Sequence, residues 1–131
     1  MIKTKERGQK KTKATSTTIK NVLTMKKVII ESPYAGNIEQ NIKYARACLK
    51  DSLNRNEAPL ASHLLYTQDG VLDDGIKAER MKGINAGLAW LEFADIHVFY
   101  IDYGMSKGME YARGFSMGSG VQLEFRKIGK I

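Results

Sequence analysis

The sequence predicts an α/β fold in which a mainly parallel sheet of four or five strands lies between helices. Three observations predict it. The apolar runs Val28–Ile30 and Val98–Ile101 do not alternate with polar residues, as strands covered on both faces require. Segments with helical periodicity separate the strand candidates. The two kinds of segment follow one another as β-α-β-α-β-α-β, and that order implies right-handed crossovers with helices on both faces, a Rossmann-like three-layer sandwich.

The chain has 131 residues, the size of one ordinary domain, and 43% of them are apolar. Its net charge of +7 is unevenly placed. Residues 1–24 hold seven of the 21 Lys and Arg residues and only one acid, Glu6, so this stretch carries +6 and the remainder +1. The stretch has few large apolar residues and reads as a basic disordered leader. Met25 then opens a strand-first α/β domain over residues 25–131. Because the charge belongs to the leader, nucleic acid is not the expected partner. No apolar run approaches the roughly 18 residues of a membrane span, and the start has no secretory pattern, so a cytoplasmic protein with no membrane partner is expected. The single cysteine, Cys48, excludes an internal disulfide.

Val28–Ile30 is the first strand, and "ESPYAG" turns the chain after it. Asn37 is the N-cap of a helix whose stripe is Ile38, Ile42, Ala45, Leu49 and Leu53. Pro59 breaks that helix, and "HLLYT" makes Leu64 to Thr67 the second strand candidate. "QDGVLDDG" is a loop. Lys77 through Phe93 reads as a helix with the stripe Ala78, Met81, Ile84, Leu88 and Leu91, and Gly83 and Gly87 permit close packing. "DIHVFYI" is the third strand. A helix from about Ser106 to Met117 follows, then a glycine stop and a last strand at Val121 to Phe125.

Ligands of open α/β sheets bind beyond the carboxyl ends of the strands. Three loops leave those ends here: "ESPYAGN", "TQDGVLDDG" and "DYGMSKGME". Asn37 and Ser106 open helices whose first-turn N–H groups suit a phosphate, and Gly36 and Gly108 allow close approach to the backbone. Neither the GxxxxGK[ST] nor the GxGxxG pattern is present, which argues against ATP hydrolysis and dinucleotide chemistry. No His, Cys or carboxylate spacing suits a metal, and His97, alone within a strand, reads as structural. Ser32, Ser106 and His63 can be drawn as a hydrolase triad, but no GxSxG elbow accompanies them. On composition, Glu110 is an acid that complements its helix dipole.

The segment "ADIHVFYIDYGMSKGMEYARG" resembles the signature of the nucleoside 2-deoxyribosyltransferase-like superfamily, which includes deoxynucleotide N-hydrolases; the nearest likeness is to an uncharacterised phage and bacterial group with "GINAGLAW" and "GMSKGM". The resemblance implies that Glu110, in "KGMEYA", is the nucleophile that attacks the anomeric carbon, that Tyr34 positions it, and that no cofactor or metal takes part. Asp102, with its pKa raised, would be the acid that assists base departure. Ser32, Pro33, Ala35, Gly36, Asn37, Ser106, Gly108 and Met109 would bind substrate, a small-molecule nucleoside or nucleotide, in a homo-oligomer. Where the family's enzymes carry an aspartate that contacts the sugar, this chain has Ala86-Gly87. Two functions follow: cleavage or transfer of an N-glycosidic bond, or non-catalytic phage-type binding that sequesters a nucleotide immune signal.

Overall fold

The computed structural model describes residues 12–131. Among these, α1 (Ser16–Leu23) is followed by β1 (Lys27–Glu31), α2 (Ile38–Asn54), β2 (Ala58–Leu60), α3 (Ser62–Leu65), α4 (Lys77–Leu88), a 3-10 turn (Ala89–Phe93), β3 (Ile96–Tyr100), α5 (Lys107–Ser119) and β4 (Gln122–Arg126). The four strands form one all-parallel sheet in the order β2-β1-β3-β4, with β1 and β3 adjacent and central as their unbroken apolar runs require.

Alternate residues of the central strands feed two cores. Val28, Ile30, Ile96, Val98 and Tyr100 face Tyr44 and Cys48 of α2. Ile29 and Phe99 face Leu88, Leu91, Met109 and Ala112 from α4, the 3-10 turn and α5. Helices therefore cover both faces of the sheet, which makes three layers. The chain turns one way from β1 to β2, returns past β1 to β3, and continues to β4. The reversal point lies between β1 and β3, where the loops after these strands part to opposite faces and leave a crevice.

Three expectations need correction. The second strand is Ala58–Leu60, and "SHLL" is a helix. Pro59 ends no helix; it lies within β2, an edge strand, where its missing N–H need not face a neighbour. The buried side of α2 is Asn41, Tyr44, Ala45, Cys48 and Ser52, while Ile38 and Leu53 of the expected stripe are exposed. Hydrogen bonds set that rotation: Asn41 donates to the carbonyls of Tyr34 and Ala35 at 2.9 and 3.0 Å, and Ser52 donates to Glu57 at 2.7 Å. Within the expected structureless leader, residues 16–23 form a helix; Thr15 caps it by accepting from the Thr18 N–H at 3.1 Å, and none of its residues is buried. The part of that stretch before Thr12 lies outside the described residues. No helix among the described residues is long and apolar enough to cross a membrane.

Candidate functional site

A cavity of about 390 Å³ opens at the carboxyl edge of the sheet, beside the reversal point. Each wall comes from a different element. The exit of β1 supplies Glu31, Ser32, Tyr34 and Ala35. The α3 region supplies His63 and Tyr66, the start of α4 supplies Glu79 and Arg80, and the first turn of α5 supplies Ser106, Lys107, Gly108 and Met109.

The β1 exit is held from below by Asn41, whose amide grips two successive carbonyls of the loop. Gly36 then adopts φ +98° with open space around its α-carbon, so it is the backbone conformation that calls for glycine there. Asn37 caps α2 by accepting from the Gln40 N–H at 3.2 Å. At α5, the Ser106 hydroxyl accepts from the Met109 N–H at 3.2 Å. That leaves the Lys107 and Gly108 N–H groups as first-turn donors without intrahelical acceptors, on the cavity side of the helix. Arg80 is oriented by donating to the Asp74 carbonyl at 2.8 Å, and Glu79 by accepting from the Asp73 N–H at 2.7 Å.

Ser32 and His63 meet in this wall, Oγ to Nε2, at 2.7 Å. Their meeting follows from strand register. Ile29 pairs with Leu60 in the parallel β1–β2 ladder, and three further residues along each chain reach Ser32 and His63. Burial holds the His63 ring below its ordinary pKa, against the opposing pull of the Glu31 carboxylate. Glu31 is in turn bonded to Nε2 of His97 at 2.9 Å. His97 is wholly buried within β3 and stacks near Phe99, the structural setting expected of it.

The expected site residues divide into those in the cavity and those outside it. Ser32, Tyr34, Ala35, Ser106, Gly108 and Met109 line the cavity. Pro33 is buried in the loop, and Gly36 lines an adjoining hollow that shares Tyr34, Glu79 and Arg80 with the cavity. Asn37 acts as a helix cap. Glu110 is not in the cavity wall: its side chain is 49% exposed and pairs with Arg113 of the same helix at 3.0 Å. Asp102 also lies outside the wall. It accepts from the Tyr44 hydroxyl at 2.9 Å, the Ile128 N–H at 2.8 Å and the Gly129 N–H at 2.6 Å. Burial raises its pKa, but these donors outweigh that and hold it below the ordinary aspartate value. The expectation of a protonated Asp102 is therefore reversed, because a carboxylate surrounded by donors stays ionised.

Sequence reasoning did not place Glu31, Tyr66, Arg80 or Lys107 in the site, and it set aside the grouping of Ser32 with His63 because no GxSxG elbow accompanies them. The missing signal was the place of β2. With "APL" read as the strand, His63 falls just beyond its carboxyl end, level with Ser32.

The chain belongs to a family described as a domain of unknown function, DUF7768, whose model matches residues 26–126. No curated protein matches the chain.

Proposed function

We propose that this member of the DUF7768 family binds a phosphorylated small molecule of nucleotide size in the cavity at the carboxyl edge of its sheet. The observation that supports this reading is the mixed chemistry of the wall. Lys107, Arg80 and the open first turn of α5 suit an anionic group. Tyr34 and Tyr66 offer aromatic surface, and Glu31, Asp74 and Glu79 accept hydrogen bonds from hydroxyl or amino groups. Three carboxylates beside two cations disfavour a bare anion, whereas a nucleotide brings both phosphate and donor groups. The volume of about 390 Å³ falls within the usual range for such ligands.

Base release by Glu110 has weaker support, since that carboxylate is engaged with Arg113 outside the cavity wall. Sequestration needs no nucleophile at this position.

Calorimetry with nucleoside 5′-monophosphates and the matching nucleosides tests the reading. One monophosphate per chain is expected to bind, more tightly than its nucleoside. Lys107→Ala should weaken it about tenfold or more, the loss of one charge-assisted hydrogen bond. Glu110→Gln should leave affinity unchanged. Absence of binding by every monophosphate at millimolar concentration would overturn the proposal. Release of free base by the wild type, abolished in Glu110→Gln, would restore the glycosidase reading in its place.

A further inference from the structure

We propose that Ser32 is a nucleophile and His63 its general base, so that the cavity hydrolyses a phosphodiester as well as holding it. The inference rests on the reading above, that a phosphoryl group occupies the first turn of α5.

Three observations meet at this pair. The Ser32 hydroxyl and His63 Nε2 are 2.7 Å apart, within the reach that lets a base take a hydroxyl proton. Both side chains line the cavity that also contains Lys107, Arg80 and the α5 first turn, the groups suited to non-bridging phosphate oxygens. His63 Nδ1 is buried without a hydrogen-bond partner among the described residues, so Ser32 is the protein group that engages this ring. Burial keeps His63 neutral at neutral pH, and in the tautomer that carries its proton on Nδ1 the Nε2 is free to accept the Ser32 proton. The nearby Glu31 carboxylate, held by His97, then favours the imidazolium that forms. Ser32 itself is buried, so reagents approach it through the cavity rather than from open solvent.

Ser32 Oγ bonds to phosphorus while its proton passes to His63 Nε2. The bond from phosphorus to one ester oxygen breaks, and that oxygen leaves as an alcohol with the proton from Nε2. Water then attacks the phosphoserine diester and gives a proton to Nε2. The bond between phosphorus and Oγ breaks, and Oγ recovers its proton. Diester and water become monoester and alcohol.

An alkyl fluorophosphonate, which presents an electrophilic phosphorus with a fluoride leaving group, tests the pair. Intact-mass measurement and peptide mapping of the full chain should show one adduct, on Ser32. Ser32→Ala should show none. His63→Gln, confirmed as folded by circular dichroism, should be labelled about 100-fold more slowly, the contribution typical of a general base. A folded wild type without an adduct on Ser32 would overturn the proposal, as would labelling at an unchanged rate in His63→Gln. The wild-type peptide map decides even if a variant fails to fold. Calorimetry with monophosphates keeps the two readings separate: binding without labelling removes the nucleophile alone, and labelling without binding upholds the pair while removing the nucleotide.

Discussion

The carboxylate of Asp102 ties the exit of β3 to the segment after β4. Its acceptor oxygens satisfy the N–H groups of Ile128 and Gly129, and the Tyr44 hydroxyl both donates to it and accepts from its N–H at 3.0 Å. Asp102→Asn replaces acceptors with a donor that faces other donors. It should lower unfolding free energy by about 1–3 kcal/mol in urea titrations while leaving ligand affinity unchanged. Cys48 is inert for a related reason, since burial pushes its thiol up to about 12. It should react with a disulfide reagent at neutral pH only as fast as the protein unfolds, a rate that absorbance measures directly. Individual site residues were partly legible in the sequence. Ser32 and Ser106 stood out because loops at strand ends concentrate hydroxyl, proline and glycine residues, and Tyr34 through family likeness. Glu110 stood out through family likeness, yet the rotation of α5 that turns Met109 inward sends the next residue toward Arg113. That rotation depends on which face packs on the sheet, and no motif records it.

Between elements, a buried ion pair joins β4 to the turn after α2. Arg126 makes a two-pronged pair with Glu57 at 2.8 and 2.9 Å, and also donates to Glu124 and to the Tyr100 hydroxyl. Burial raises the Glu57 pKa, but the hydrogen bonds from Arg126 and Ser52 more than offset this and hold it below the ordinary value of 4.5. The folded state therefore binds fewer protons than the unfolded state near that value, so this stabilisation is complete at neutral pH and fades as pH falls through and below it. Urea midpoints should drop between about pH 6 and pH 3, and the part due to this pair should vanish in Glu57→Gln. Arg126→Ala should destabilise by about 3–5 kcal/mol, because it strands a buried carboxylate. The packing of α3 on α4 depends on Gly87, where an added Cβ would come within 2.6 Å of Ser62 Cβ. Gly87→Ala should lower the melting temperature through about 1–3 kcal/mol of overpacking, despite the better helix propensity of alanine. Gly83 and Gly87 were legible as a packing face. The short strand β2 was not, because three residues containing a proline carry no period, and "HLLYT" has the composition of a strand although it lies where the chain turns into α3.

At the scale of the whole molecule, the parallel sheet and its two central strands could be read in advance, because unbroken apolar runs have few other places to go. The basic stretch ahead of Met25 contributes nothing to either core over residues 16–23, where every residue of α1 is exposed. Deleting residues 1–24 should leave the melting temperature within about a degree and monophosphate affinity unchanged, since no residue of α1 is buried. The central ladder also has a temporal consequence. Val28 pairs with Ile96, and the Lys27 N–H bonds the Asp95 carboxylate across 68 positions of chain. On a ribosome, β1 must therefore wait for β3 through those 68 positions, with its apolar run lacking its central partner. The final cavity wall arrives with α5, later still. The nascent chain is thus exposed to chaperones and to self-association until β3 emerges, and the cavity wall is complete only once α5 has followed it.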